Sequence, residues 1–93
     1  MTVVHVAGRE TVPLLLYALS TCGWCKKTRA LLDELGVAYD YIYVNDLEDT
    51  RKAEVRAEVA KWNSQCSFPT LIINGTECIV GYQEARIRAL VQE

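Results

Sequence analysis

The amino-acid sequence predicts one α/β domain: a mixed four-stranded sheet, helices on both faces, and room for one extra N-terminal strand. Three observations predict it. An unbroken apolar run from Pro13 to Leu19 leads into a helical pattern and then into a second β-like run, Tyr39 to Val44, which is the order of a β-α-β unit. A charged stretch with helical spacing follows. Asn74-Gly75 then sits between two further apolar runs, the strongest short hairpin signal a sequence carries. The 93 residues suit a single core spanning residues 1–93, with no repeat, linker or low-complexity segment.

The elements follow in order. Val3 to Val6 is a short β-like run and supplies the extra strand; the turn-prone Ala7-Gly8-Arg9-Glu10 comes next. Pro13-Leu14-Leu15-Leu16-Tyr17-Ala18-Leu19 reads as a strand covered on both faces. After Cys22 the period changes. Thr28, Leu31, Leu32 and Leu35 fall on one helical face, and Gly36 ends the helix as its left-handed C-terminal residue. Tyr39 to Val44 is rich in the aromatic and β-branched residues that strands favour. From about Leu47 to Trp62, Val55, Val59 and Trp62 recur at helical spacing, with Asp46 or Thr50 as N-cap and Arg51, Lys52, Glu54, Arg56 and Glu58 as a solvated outer face. Thr70–Ile73 and Thr76–Val80 flank the Asn-Gly turn, and Ile87, Leu90 and Val91 mark a C-terminal helix.

Composition narrows the function. The formal net charge is −2 and no basic run is present, so bulk electrostatics recruits neither nucleic acid nor an anionic membrane. The longest apolar stretch, Val12 to Leu19, contains Pro13 and is far shorter than the ~20 residues of a bilayer span. It has neither the basic start nor the cleavage site of a secretory signal. A cytoplasmic setting is expected, where structural disulfides are rare. The four cysteines therefore read as chemistry more than as staples.

The chemistry concentrates in Ser20-Thr21-Cys22-Gly23-Trp24-Cys25-Lys26-Lys27, where the first long strand ends and the first helix begins. A helix N-terminus offers unpaired N–H groups and a positive dipole end, both of which stabilise negative charge on sulfur. Lys26 and Lys27 add positive potential. Cys25 lies three residues beyond Cys22 and faces the same side, so it can attack a mixed disulfide on Cys22 and release a reduced substrate. Half of a structural zinc site is the other reading of C-x-x-C. Zinc needs four ligands, however, the one histidine is His5, and Cys66 and Cys78 stand apart rather than at ligand spacing; no metal is expected. Ser67-Phe68-Pro69-Thr70 adds a proline at a strand entrance, where it cannot donate to a ladder. A cis Phe68–Pro69 bond there sets the Phe68 backbone beside the sulfurs, with polar groups left to pair with a substrate chain.

This β, β-α-β, α, β-β, α order is the thioredoxin-like arrangement, and the chain resembles the glutaredoxin family over nearly its whole length. Tyr17 through Leu35 is similar to the family's active-site strand and first helix. Gly36-Val37-Ala38-Tyr39 resembles the entry to its second strand. Ser67-Phe68-Pro69 stands where the family has Thr-Val-Pro, and Ile79-Val80-Gly81-Tyr82 resembles its Gly-Gly turn before the last helix. The resemblance implies Cys22 as nucleophile, Cys25 as resolving thiol and Pro69 as the cis proline of a substrate groove. It draws substrate or glutathione contacts from Thr21, Gly23, Trp24, Lys26, Ser67, Phe68, Pro69, Gly81, Tyr82 and Gln83. Leu19, Ser20 and Thr21 fill positions where glutathione-using members carry a lysine, and Val80-Gly81, with Gln83 and Glu84, replaces their Gly-Gly-acid pattern. A lost charged anchor costs roughly 1–3 kcal/mol of glutathione affinity. The implied electron donor is thus glutathione or a protein reductase, with no bound cofactor. The implied substrates are protein disulfides or glutathione mixed disulfides, and the expected state is a monomer. The alternative within the family is a two-iron, two-sulfur cluster held between two chains by the nucleophilic cysteines and two glutathiones; Cys25 and the missing anchors argue against it.

Four residues remain. Cys66 lies near the expected groove. Cys78 falls opposite Leu71 if the hairpin turn has two residues, which puts Cys66 some 16 Å away along the partner strand at strand rise, too far for a disulfide. Trp24 reads as an exposed docking surface beside the thiols, and Trp62 as core.

Overall fold

The computed structural model describes residues 3–91. Strand β1 (Val4–Val6), β2 (Leu14–Ala18), helix α1 (Gly23–Leu35), β3 (Tyr39–Tyr43), α2 (Asp49–Trp62), β4 (Thr70–Ile73), β5 (Glu77–Val80) and α3 (Glu84–Val91) follow one another. The strands form one sheet in the order β1-β3-β2-β4-β5, so the extra N-terminal strand is present and the sheet has five strands. Only β2 and β3 run parallel, joined by the α1 crossover; β1, β4 and β5 pair antiparallel with their neighbours.

Strand alternation distributes side chains to two cores. Leu14, Leu16, Tyr39, Leu71, Ile73 and Ile79 pack with Leu31 and Leu32 of α1 and Ile87 and Val91 of α3. On the opposite face Tyr17, Ile42, Val44 and Ile72 pack with Val55 and Val59 of α2. The continuous apolar run of β2 reflects this double burial: it is the central strand, covered above and below. Trp62 is half-buried against the α2-side core.

Gly36 ends α1 in the left-handed region (φ 69°), its N–H donating to Asp33 O at 3.1 Å. Gly8 serves a different need. A side chain there would meet the Val37 carbonyl carbon at 2.6 Å, because the N-terminal segment lies against the α1–β3 joint. Arg9 donates to Gly36 O at 2.7 Å and accepts from Ala38 N at 2.9 Å. The stretch read as a turn is thus a backbone strap.

Three local expectations need correction. Val44 leaves the strand for a 3-10 turn over Val44–Asp46, and α2 is capped by Glu48 rather than Asp46 or Thr50, with no side-chain cap bond. Two acidic side chains precede the helix, but the 3-10 turn takes up Asp46 and moves the start downstream. The hairpin reverses at Asn74 and Gly75 as read, both at positive φ, with Thr76 N–H donating to Ile73 O at 3.1 Å. Pairing resumes at Ile73–Glu77, however, leaving Thr76 in a three-residue loop, so Cys78 faces Ile72 and not Leu71. Finally, the chain is not extended back from Thr70 to Cys66. Cys66 has φ 52° and donates its N–H to Asn63 O at 2.8 Å. That turn brings Cys66 and Cys78 against the same α2-side core, and the separation taken from strand length does not apply. All four cysteines are free thiols.

Candidate active site

Strand β2 ends at Ala18, and a tight turn in which Cys22 N–H donates to Leu19 O (3.1 Å) carries the chain into α1. Cys22 is the N-cap, in extended conformation (φ −92°, ψ 119°). Its carbonyl accepts the first helical bond from Lys26 N at 3.1 Å, while its sulfur accepts the Cys25 N–H at 3.2 Å. A cysteine sulfur thus takes the place of the usual Ser or Asp oxygen on one of the orphan donors of the helix start. Cys22 is half-buried, whereas Cys25 is 0% exposed in the α1–α3 core. Burial, and then the adjacent Cys22 sulfur, push the Cys25 thiol up to about 12. The pair therefore presents one sulfur to solvent and holds the other back as a protonated thiol.

The Phe68–Pro69 bond is cis, and Phe68, like Cys22, packs against the core cluster that contains Cys25. The Pro69 carbonyl accepts Gly81 N–H at 2.8 Å, with Gly81 at φ 83°. Trp24, Phe68, Pro69, Gly81 and Tyr82 line a groove of about 230 Å³. Trp24 is 58% exposed; its ring stacks on Tyr82 with centroids 5.8 Å apart and planes at 27°. Lys27 Nζ lies 4.8 Å from the Trp24 ring centroid.

Five of the residues expected to contact substrate are therefore gathered at one groove. Thr21, Gly23 and Lys26 are exposed around the start of α1 and do not line it. Ser67 turns toward α2, where Asn63 Nδ2 donates to its hydroxyl at 2.8 Å and Thr70 Oγ1 to its carbonyl at 2.8 Å. Gln83 folds back, Nε2 donating to Val80 O at 2.7 Å. Neither side chain borders the groove.

Two features escaped the sequence. Asn45 holds Ser20 at two points: it accepts the Ser20 N–H at 2.9 Å and donates to the Ser20 hydroxyl at 2.8 Å. The parallel register places Ala18 beside Tyr43, which aligns the turn before Cys22 with the turn after β3. Arg29, on α1, donates to the Tyr39 hydroxyl (3.1 Å) and the Tyr43 hydroxyl (2.9 Å) and stacks 3.9 Å from the Tyr41 ring centroid. Tyr39 in turn donates to Asp33 at 2.9 Å. Its phenol is pushed up to about 12 by burial, with Arg29 pulling down and Asp33 pushing up. Aromatics every second residue on β3 were legible; the guanidinium that meets them was not.

A larger cavity, about 380 Å³, lies at the other end of β2 and β3 around His5, Glu10, Pro13, Asp40 and Gly75. His5 Nδ1 and Asp40 Oδ1 are 2.7 Å apart at its edge. Neither this cavity nor the groove beside Pro69 has a cysteine in its lining; the groove differs in including Trp24, which stands between Cys22 and Cys25 in the sequence. Among the described residues no three His, Cys, Asp or Glu side chains gather as a metal ion would require, and no helix is long and apolar enough to cross a membrane.

A family model described as Glutaredoxin matches residues 14–78. The glutaredoxin of Methanosarcina mazei Go1 superimposes with a TM-score of 0.89 at 44% identity, covering 100% of this chain and 90% of its own. The methanoredoxin of Methanosarcina acetivorans gives 0.89 at 41% identity, covering 92% and 90%. A glutaredoxin-like 8.6 kDa protein of the Clostridium pasteurianum rubredoxin operon is 32% identical over 78 residues, 84% of this chain and 96% of that protein. Plant glutaredoxins are longer; the chain spans 61% of one and 62% of another.

Proposed function

We propose that this chain, which belongs to the glutaredoxin family and is a thiol oxidoreductase, reduces protein disulfides or glutathione mixed disulfides with Cys22 as nucleophile and Cys25 as resolving thiol. The observation that carries the assignment of roles is the N-cap geometry: the half-buried Cys22 sulfur accepts the Cys25 N–H at 3.2 Å, while Cys25 itself is fully buried.

The steps follow from that asymmetry. The Cys22 thiolate attacks one sulfur of a substrate disulfide; a Cys22–substrate disulfide forms, and the other substrate sulfur leaves as a thiolate and takes a proton. The Cys25 N–H, which the Cys22 sulfur accepts in the free protein, then faces a neutral disulfide sulfur. Cys25 loses its proton and attacks the Cys22 sulfur, expelling the second substrate thiolate. The protein is left with a Cys22–Cys25 disulfide and the substrate has gained two electrons. Because the resolving thiol is already three residues away, this step is intramolecular. Glutathione or a protein reductase returns the two electrons. The groove of Trp24, Phe68, Pro69, Gly81 and Tyr82 receives the substrate segment beside its disulfide. A reducing compartment such as the cytoplasm suits a dithiol that must be kept reduced between turnovers.

The test is reduction of a small mixed disulfide by the purified protein, with glutathione plus its reductase in one series and thioredoxin reductase in another. Turnover in either series that is lost in Cys22→Ser supports the assignment. Turnover that persists in Cys22→Ser contradicts it.

A further inference from the structure

The chain between α2 and β4 carries two residues of the groove, Phe68 and Pro69, and one side chain organises it. Asn63 is the C-cap of α2. Its N–H donates to Val59 O at 2.8 Å, and its carbonyl accepts the Cys66 N–H at 2.8 Å. The side chain is committed at both of its polar atoms. Oδ1 accepts the Gln65 N–H at 3.2 Å, and this fixes the orientation of the amide, because an N–H needs an acceptor. Nδ2 therefore faces Ser67. It donates to the Ser67 hydroxyl at 2.8 Å and to the Ser67 carbonyl at 3.1 Å, and lies 3.4 Å from Thr70 Oγ1.

The Ser67 carbonyl accepts a second bond, from Thr70 Oγ1 at 2.8 Å, so both of its lone pairs are engaged. Thr70 is 0% exposed. On the other side of Phe68, the Pro69 carbonyl accepts Gly81 N–H at 2.8 Å. Both neighbours of Phe68 are thus pinned to the protein. Phe68 itself makes no hydrogen bond among the described residues. Packing against the two cores and the residues either side of it set its place.

We propose that Asn63 is a positioning residue for the substrate groove: by fixing Ser67 it fixes where Phe68 stands, and so sets how tightly a disulfide-bearing polypeptide binds. The proposal rests on the oxidoreductase reading and adds to it a residue that acts on binding and not on the reacting sulfurs. Asn63 does not line the groove, and its bonds reach neither Cys22 nor Cys25. Ser67 is exposed, so water can replace each bond that Nδ2 makes, and the loop loses order more than the fold loses stability. A substrate then has to select the one arrangement of Phe68 that fits it. Its apparent affinity falls in proportion to the fraction of molecules in that arrangement.

The experiment uses the full-length protein, with the reductant that supports its turnover, and two substrates. One is a disulfide-linked homodimer of a short peptide with a central cysteine; the other is hydroxyethyl disulfide, too small to lie along the groove. Asn63→Asp keeps the acceptor for the Gln65 N–H and sets a carboxylate oxygen against the Ser67 carbonyl. It is expected to raise KM for the peptide about tenfold, the scale of one or two lost hydrogen bonds, with kcat held within about twofold. Ser67→Ala, which removes only the hydroxyl bond, should raise it about threefold. In both variants, KM for the small disulfide and the rate at which iodoacetamide alkylates Cys22 should stay within about twofold of wild type. A merely structural role does not produce that split. An unchanged peptide KM in Asn63→Asp, or a loss confined to kcat, overturns the proposal; if Asn63→Asp does not fold, the same readings on Ser67→Ala decide it. Turnover of the small disulfide by wild type leaves the oxidoreductase assignment standing in either case, and its absence overturns both.

Discussion

Two pairs of cysteines share this fold and sit in opposite backbone surroundings. Cys22 caps the N-terminus of α1, where its sulfur accepts an N–H. Cys66 and Cys78 lie against α2, where their sulfurs donate to carbonyls, Cys66 to Arg56 O at 3.6 Å and Cys78 to Trp62 O at 3.5 Å. An N–H group is a donor and stabilises a sulfur that carries charge; a carbonyl is an acceptor and engages a sulfur only while it keeps its hydrogen. Trp62 O is among the carbonyls left without a helical partner at the end of α2, so Cys78 satisfies backbone there. The residue type is the same in both places. What differs is whether the sulfur meets an N–H donor or a carbonyl acceptor.

The largest effects should come from breaking the first pair. Cys22→Ser is expected to cut disulfide turnover about 10³-fold or more, because a hydroxyl cannot replace the thiolate nucleophile. Cys25→Ser should leave the first attack intact and accumulate a Cys22–substrate disulfide visible by mass, with protein-disulfide turnover falling about 100-fold as the intramolecular step is lost. Cys66→Ala and Cys78→Ala should change turnover less than about twofold and cost about 0.5–1.5 kcal/mol each in chemical unfolding, the value of the hydrogen bond each thiol donates.

The two cysteines of the first pair can be told apart by pH. The folded Cys25 value of about 12 lies above the ordinary thiol value of 9.0. Its contribution to stability is therefore intact below about pH 9 and is lost as pH rises toward 12. In a thiolate absorbance titration, the signal that disappears in Cys25→Ser should be the part appearing near pH 12. A difference between the two proteins below pH 9 would show that Cys25 is not held back.

A smaller effect should sharpen the role of the turn before Cys22. Asn45→Ala removes two hydrogen bonds to Ser20 and is expected to destabilise the protein by about 1–2 kcal/mol. It should lower kcat several-fold while KM for a small disulfide holds, as follows when Cys22 is less well positioned rather than its substrate less well bound. Equal loss in Cys22-independent properties alone, with kcat unchanged, would reduce Asn45 to a structural residue.

These residues also show what a sequence can carry. Cys22, Cys25, Gly36 and Pro69 were legible because each acts through its own immediate backbone: a helix start, a helix stop, a strand entrance. Asn45 and Arg29 were not, because their partners Ser20, Tyr39 and Tyr43 are set by the parallel β2–β3 register and the packing of α1 across β3. The hairpin lies between these cases. Asn74-Gly75 announced the reversal, yet the unpaired Thr76 shifted Cys78 by one register position and moved it to the α2 face. Ser67 and Gln83 were near the site in sequence, but Asn63 and the Val80 carbonyl hold them aside. The fifth strand was readable as an apolar run, and its pairing with β3 settled its place.

The central claim is that burial holds back Cys25, and that a backbone N–H at Cys22 against backbone carbonyls at Cys66 and Cys78 selects the reactive sulfur among the four free thiols. Its most direct test is to treat the reduced, folded protein with less than one equivalent of iodoacetamide and locate the label by peptide mass mapping. The expected result is modification of Cys22, with Cys25, Cys66 and Cys78 recovered unlabelled. Label distributed evenly over the cysteines, or concentrated on Cys66 or Cys78, would contradict it.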